Sequence, residues 1–294
     1  MGKRPVVYGE VLYDCFEDGS RVLGGAPFNV AWHLSAFGAE PLFISRVGDD
    51  AMGRQIRDTM QQWGMSTAGL QQDSAYQTGE VRITLQNGQP SYEIVEDRAY
   101  DHISSESIPP IDPALIYHGS LGLRASGSAE TLAGILADSP APVFLDINLR
   151  PPWWSESQAK GLLDKATWVK LNDDELVALL PGDGGLENRA GVLMDRHRLS
   201  RLIVTQGADG AFAIDRSEGH VQIRTERSVE IVDTVGAGDG FTAVCLLGQL
   251  HGWPVGQTIE RAHAFAALLV QQRGALLHDR APYRQLIEDW QPVG

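Results

Sequence analysis

The sequence predicts an α/β architecture in three layers: a mainly parallel sheet covered by helices on both faces, with a small antiparallel sheet inserted into it. Three observations carry this expectation. Short continuous apolar runs alternate with helix-length segments, as in Leu42 to Val47 followed by Ala51 to Trp63, and strands buried on both faces read as such uninterrupted runs. The alternation then breaks into a period-two pattern, Glu80 to Gln86 and Ser91 to Val95, around Asn87-Gly88, a strong two-residue hairpin signal. Late in the chain the polar, glycine-rich stretch Asp233-Thr234-Val235-Gly236-Ala237-Gly238-Asp239-Gly240 runs straight into the apolar segment Phe241 to Leu250, a loop feeding a helix start.

The chain of 294 residues suffices for one large α/β domain with an insertion, and with 43% hydrophobic residues and no charge block its composition is that of an ordinary globular protein. A formal net charge of -14 repels nucleic acid and anionic membrane surfaces, so neither is an expected partner, and any phosphate site has to be local. No stretch approaches the ~20 apolar residues of a membrane span, and the apolar run after Met1 stops at Gly9-Glu10, too short for a signal peptide. Cys15 and Cys245 form no disulfide or metal spacing, and the eight histidines form no zinc motif, which makes a reducing cytoplasm the expected home.

In chain order, Pro5 to Tyr13 reads as one nearly continuous strand, interrupted at Gly9-Glu10 and ended by Asp14. A carboxylate at that edge is either a ligand for substrate or a plain turn residue. Leu23-Gly24-Gly25-Ala26-Pro27-Phe28-Asn29 is a strand-to-helix loop whose helix is capped near Gly38, and Gly64 ends the helix Ala51 to Trp63. The hairpin of Val81, Ile83 and Leu85 needs cover from core, substrate or a second subunit. Strands follow at Ala114 to Tyr117 and Val143 to Ile147. The second runs into Asn148-Leu149-Arg150-Pro151-Pro152, where Arg150 offers a planar fork for oxygen ligands or is merely a solvated loop residue. Thr167 to Leu171 is a further strand, Asn172 is a sound helix N-cap, and Asp173, Asp174 and Glu175 suit a helix N-terminus. Leu202 to Thr205 leads through Gln206-Gly207-Ala208-Asp209-Gly210 into a strand over Ala211 to Asp215. Gln257 to Arg273 is a long helix ended by Gly274-Ala275, and Ala281 to Trp290 closes the fold.

The glycines of the Asp233–Gly240 stretch let backbone N–H groups approach a ligand, and a helix N-terminus attracts an anion such as phosphate. A pure phosphate cradle has no use for a carboxylate, so the natural work of Asp239 is to take a proton from an attacking hydroxyl. Neither Gly-x-Gly-x-x-Gly after an early strand nor Gly-x-x-x-x-Gly-Lys-[Ser/Thr] occurs, which excludes the Rossmann and P-loop alternatives.

With its two aspartates around Gly-Ala-Gly, the stretch Asp233 to Asp239 resembles the C-terminal signature of the PfkB, or ribokinase-like, family of carbohydrate kinases. Gly24-Gly25-Ala26-Pro27-Phe28-Asn29 resembles that family's N-terminal Gly-Gly-x-x-x-Asn signature, about two hundred residues away. Ribokinases usually carry lysine where this chain has Ala26, and with Asn148-Leu149-Arg150-Pro151-Pro152 this departure points to the fructokinase-like branch. The resemblance implies a single ribokinase-like domain over residues 1–294 whose inserted sheet, about 12–23 and 77–99, is a lid over the sugar and a dimer contact. It implies transfer of the γ-phosphate of ATP to a sugar hydroxyl, fructose first, then another ketose or sugar acid, then a nucleoside. In this reading Asp239 is the base and Gly236, Ala237 and Gly238 form the anion hole, while Asp14, Gly24, Gly25, Asn29 and Arg150 hold the sugar. Lys170, Asn172, Thr205, Gly207, Gly210, Gly238 and His263 border the nucleotide, although His263 also reads as an ordinary core or surface histidine. Glu175 serves Mg2+, and a monovalent cation, K+, is held by the Asp233 side chain and the carbonyls of Val235, Val270, Arg273 and Ala275. A non-catalytic sugar-binding regulator on the same fold is the alternative from another class, disfavoured by the intact Asp239 turn; a dehydrogenase would require nicotinamide nucleotide binding.

Overall fold

The computed structural model describes residues 3–86, 89–225 and 229–290. In chain order its strands are β1 (Arg4–Tyr8), β2 (Leu12–Phe16), β3 (Arg21–Gly24), β4 (Leu42–Gly48), β5 (Leu70–Asp73), β6 (Gly79–Gln86), β7 (Gln89–Ile94), β8 (Pro113–His118), β9 (Val143–Asp146), β10 (Trp168–Asn172), β11 (Arg201–Thr205), β12 (Ala211–Asp215) and β13 (Gly219–Ile223). The helices are α1 (Ala26–Ala36), α2 (Ala51–Trp63), α3 (Ser126–Asp138), α4 (Glu156–Leu163), α5 (Asp173–Leu179), α6 (Leu186–His197), α7 (Ala237–His251), α8 (Val255–Leu269) and α9 (Ala281–Trp290).

The main sheet has nine strands in the order β13-β12-β11-β10-β9-β8-β1-β4-β5. From β5 to β11 neighbours run parallel; β12 and β13 return antiparallel. Side-chain alternation sorts its core into two sides. Val7, Tyr117, Phe144 and Ile203 pack against α1, α2, α7, α8 and α9. Their neighbours Val6, Tyr8 and Ile116 pack against α3, and Leu145, Val169 and Leu202 against α4, α5 and α6. Both faces are therefore buried, as the unbroken apolar runs predict.

A second sheet, called the lid sheet after its expected role, has the order β3-β2-β6-β7. It differs from the expected antiparallel sheet in one pairing: β2 and β6 run parallel, while β2–β3 and β6–β7 are antiparallel hairpins. Each hairpin follows a parallel strand of the main sheet, β1 or β5, and leaves from the same carboxyl edge, so their first strands point the same way. The expected Asn87-Gly88 turn lies outside the described residues.

Pro5 to Tyr13 is not one strand. The chain leaves the main sheet at Gly9-Glu10 and enters the lid as β2, so Asp14 stands in the middle of a lid strand rather than at a main-sheet edge. Gly9 has φ 144°, and a Cβ there would lie 2.6 Å from Pro27 Cγ. Apolar residues on both sides of this turn hide the change of sheet from the sequence pattern. The strands β5 and β13, absent from the sequence reading, are terminal strands of the main sheet with polar sequences (Leu-Gln-Gln-Asp and Gly-His-Val-Gln-Ile). Helix α8 ends at Leu269 rather than Arg273 because the Val270 carbonyl is captured by the N–H groups of Val232 and Asp233.

Candidate active site

Four strand ends and two helix starts converge at the carboxyl edge of the main sheet. Asp146 closes β9 and its register partner Lys170 lies on β10, both on the face turned to α7. Lys170 Nζ stands 3.0 and 3.3 Å from the two Asp146 oxygens, and the Thr242 hydroxyl of α7 donates to Asp146 Oδ2 at 2.7 Å. The two charges are buried, at 7% and 2% exposure. Burial alone would lower the lysine pKa, but Asp146, Glu175 and Asp239 together hold it above its ordinary value, so it remains a cation. A Cβ at Gly238 would lie 3.3 Å from Lys170 Nζ, which places the ammonium directly beneath the glycine turn.

Helix α7 begins at Ala237 after Gly236, whose φ of 79° is the left-handed conformation that favours glycine. The backbone N–H groups of this first turn have no intrahelical partners, and the macrodipole makes them an anion site. Asp239 sits in that turn. Asn29, in the first turn of α1, donates through Nδ2 to Asp239 Oδ2 at 2.7 Å. The two motifs, about two hundred residues apart, thus meet in one hydrogen bond. Burial pushes the Asp239 carboxyl up to about 6; the Asn29 bond opposes this, Asp146 adds to it, and Lys170 and Arg150 pull it back.

The residues expected to hold the sugar stand around that bond. Gly25 is the N-cap of α1 at φ 110°, and a Cβ on it would come within 2.8 Å of the Glu10 carbonyl. Asp14 lies on the same lid face as Val22 and Val81, its cross-strand partners, with Gly24 beside its carboxyl. Burial raises the Asp14 pKa and the Arg150 charge lowers it; Arg150 also acts on Asp239 and Glu10, so this exposed guanidinium belongs to the same electrostatic cluster.

On the nucleotide side, Asn172 and Glu175 form a capping box: Glu175 N–H donates to Asn172 Oδ1 at 2.8 Å and Glu175 Oε2 accepts from Asn172 N–H at 2.9 Å. Glu175 Oε1 accepts from Leu149 N–H at 2.8 Å, so the carboxylate joins β10 to the Arg150 loop. Among the described residues no group of three or more His, Cys, Asp or Glu side chains could hold a metal. Glu175 is buried and both its oxygens already accept backbone N–H donors, so it would meet magnesium, which keeps waters and nucleotide phosphates as ligands, through a water rather than as a direct ligand. Asp233 Oδ1 accepts from Val235 N–H at 3.0 Å and Oδ2 from Gly274 N–H at 2.9 Å. This draws the loop before α7 against the segment after α8, where the Val270 carbonyl accepts from Val232 and Asp233 N–H, the Ala275 carbonyl faces His33 Nε2, and Val235 and Arg273 are exposed. Thr205 is the register partner of Asn172. Gly207 opens the next turn, and Gly210 lets β13 approach, since a Cβ there would lie 2.3 Å from the Ile223 carbonyl. His263 on α8 is bonded to Thr225 Oγ1 at 3.1 Å, and no hydrogen bond among the described residues joins Gly207 or His263 to the Asp239 cluster.

Three residues of this cluster carry no role in the sequence reading. Asp146 and Thr242 were hidden because a strand-end aspartate and a helix threonine are common; only the fold sets them against Lys170. Glu10 is 3% exposed, its Oε2 has no hydrogen-bond partner, and burial lifts its pKa to about 7, with Asp239 adding to the rise and Arg150 opposing it. A carboxylate in the middle of an apolar run was the available signal.

A family model described as pfkB family carbohydrate kinase matches residues 6–280. The fructokinase of Klebsiella pneumoniae is 32% identical over 291 residues, covering 92% of this chain and 94% of that protein. The fructokinase of Xylella fastidiosa, solved with bound ATP, superposes with a TM-score of 0.86 at 24% identity, over 98% of this chain and 99% of that one. A double mutant of the fructokinase of Vibrio cholerae O395, solved with fructose, ADP and potassium ion, has a TM-score of 0.82 at 21% identity, over 97% of both chains. The family match spans nearly the whole chain and includes both motifs that meet at the Asn29–Asp239 bond: the chain belongs to the pfkB family of carbohydrate kinases.

Proposed function

We propose that the protein transfers the γ-phosphate of ATP to a hydroxyl of fructose, with Asp239 as the general base. The observation that carries this reading is the Asp239 carboxylate fixed by Asn29 at 2.7 Å in the first turn of α7, where Ala237 N–H makes a long 3.3 Å bond to the Thr234 carbonyl and the next N–H groups lack intrahelical partners. A hydroxyl held against Asp239 would lose its proton there as the oxygen attacks the γ-phosphorus and ADP leaves. Gly236, Ala237 and Gly238 would direct N–H donors at the charge growing on the phosphate oxygens, and the Lys170 ammonium beneath Gly238 adds positive potential. Asn29 spends its amide N–H on Asp239, and its buried Oδ1 is left without a partner, ready to accept from a second sugar hydroxyl. Asp14, Gly24, Gly25 and Arg150 complete the sugar site. Asn172, Thr205, Gly207, Gly210 and His263 would border the nucleotide, Glu175 would hold through a water a magnesium ion whose charge offsets that of the phosphates, and potassium beside Asp233 would stiffen the anion hole.

Residues 1–294 act in this reading as one kinase domain with its lid at 12–23 and 77–99. On the face that carries Asp14, Leu12 and Val81 are covered by Tyr100, while Phe16, Val22 and Tyr92 stay exposed. Those three suit closure over substrate and a lid-to-lid homodimer. Fructose as acceptor is supported by the fructokinase relatives. A reducing cytoplasm suits the free cysteines, and among the described residues no helix is long and apolar enough to cross a membrane.

The test is ADP release with magnesium-ATP and potassium across fructose, ribose, glucose, 2-keto-3-deoxygluconate, adenosine and inosine. A strong fructose signal that disappears in D239N supports the assignment. A larger kcat/KM for another acceptor renames the substrate, and silence with retained sugar and ATP binding turns the chain into a non-catalytic binder.

A further inference from the structure

Helix α1 makes a second long-range contact one turn beyond Asn29. His33, four residues on and therefore on the same helical face, is fully buried at 0% exposure. Its Nε2 lies 3.1 Å from the Ala275 carbonyl oxygen and its Nδ1 2.7 Å from the Tyr283 hydroxyl of α9. A carbonyl only accepts, so Nε2 carries the proton and Nδ1 accepts from Tyr283. Burial, which holds this imidazole down to about 3, keeps that neutral tautomer throughout the working range. Trp32 adds a parallel bond from its indole N–H to the Leu277 carbonyl at 3.0 Å.

Ala275 is also the residue on which the anion hole rests. A Cβ built at Gly236 would lie 2.3 Å from Ala275 Cβ and 2.5 Å from Ala275 Cα, so the left-handed glycine that starts α7 is in direct contact with the Ala275 backbone. Asp233, three residues before Gly236, grips the neighbouring Gly274 N–H at 2.9 Å. One helix therefore holds both halves of the reaction centre, the base through Asn29 and the phosphate turn through His33 and Ala275.

We propose that His33 is a positioning residue for phosphoryl transfer, donating to the Ala275 carbonyl so that Gly236 and the N–H groups after it stay in register with Asp239. The proposal rests on the kinase reading above. It predicts a defect in turnover rather than in substrate binding, because His33 stands a turn or more from the proposed sugar contacts Gly25 and Asn29 and bonds only the Ala275 carbonyl and the Tyr283 hydroxyl, so the geometry around the transferred phosphate changes.

The experiment compares H33L, H33Q, Y283F and D239N by kcat and KM for the sugar found active, sugar titration and thermal melting. A misplacement near 1 Å costs about a hundredfold in rate, so H33L is expected to lose about that factor in kcat with sugar KM and Kd nearly unchanged. H33Q, whose amide N–H can still reach the Ala275 carbonyl, recovers most of the loss. Y283F, which keeps the ring packing and removes only the donor to Nδ1, loses about tenfold on the same grounds. A folded H33L with wild-type kcat, or an H33Q as impaired as H33L, overturns the proposal. Should H33L fail to fold, Y283F decides, and wild-type kcat in that variant overturns it equally. No ADP release by the wild type with any acceptor would instead sink the kinase reading itself, and wild-type turnover in D239N would remove only Asp239 as its base, so the failures are told apart.

Discussion

The floor of the site and its lid are built on opposite plans. Under α7, charges are buried and paired: Lys170, Asp146 and Thr242 form one network, Asn29 of α1 bonds Asp239 in the first turn of α7, and His33 bonds the Ala275 carbonyl beside Gly236, while Asn29 Oδ1 and Glu10 Oε2 are left unpartnered. The lid rests on a small apolar cluster of Leu12, Val81 and Tyr100, backed by the partly exposed pairs of Glu80 with Arg82 and Arg98. A pair as exposed as Glu80 with the half-exposed Arg82 contributes little, whereas a buried network under-satisfied by one partner costs several times more. The difference teaches where rigidity is placed. In the proposed kinase, the turn that would hold a developing charge is tied down from several sides, while the small sheet that would admit a sugar rests on a smaller apolar cluster, which puts it toward the low-stability end of the fold.

The sharpest way to break this comparison is at Asp239. D239N removes a positioned base and keeps the shape of the Asn29 contact, so turnover falls by about two to four powers of ten while sugar binding by titration persists. Turnover near wild type would refute the base. A milder perturbation of the same group is pH. With the Asp239 carboxyl at about 6, kcat/KM falls by roughly tenfold per pH unit below that value, since only the ionised form accepts the proton. A profile flat from pH 5 to 8 removes Asp239 from the proton path.

Glu10 tests the energetic cost of the floor. Its folded-state pKa of about 7 stands above the ordinary 4.5, so the stability it contributes is fully present below pH 4.5 and lost as pH rises through 7. Replacing it with Gln removes that loss, and the variant should gain up to roughly 3 kcal/mol over wild type at pH 8 relative to pH 4. Denaturant unfolding at the two pH values measures this; equal differences at both would show that Glu10 is not held neutral by the fold. The smallest effect belongs to the lid. V81A trims its apolar cluster and should cost about 1 kcal/mol locally. It appears as faster hydrogen exchange over residues 79–94 and a raised sugar KM, with the global melting temperature nearly unchanged. A global melting shift as large as that of a main-core substitution would mean the lid is not the separate, weakly held element described above.

Much of this was legible in the sequence. The apolar runs forecast a doubly covered parallel sheet, Ala51 to Trp63 and Ala281 to Trp290 are helices with those same ends, and the period-two segments pair as the antiparallel strands β6 and β7. Local chemistry sufficed there: burial on both faces demands continuous apolar strands, and a helix ends where Gly64 can take the left-handed conformation at φ 81°. Gly24-Gly25 with Asn29 and Gly236 to Asp239 were recognisable for the same reason, since close backbone approach needs glycine and proton transfer needs a carboxylate. What the sequence determined by itself, then, is which residue types stand where a local backbone or chemical requirement selects them.

Tertiary structure alone decided who meets whom. That β2 belongs to the lid and not to the main sheet follows from a turn at Gly9-Glu10 packed against Pro27, which period and composition do not register. That Lys170 lies beneath Gly238, paired with Asp146, follows from the register of two parallel strands. That Glu10, Asp14, Arg150 and Asp239 share one electrostatic environment, and that His33 holds the Ala275 carbonyl, follows from contacts across most of the chain. A residue's type limits what it can do; its pKa, partners and reach are set by the low-dielectric surroundings that only the assembled fold supplies.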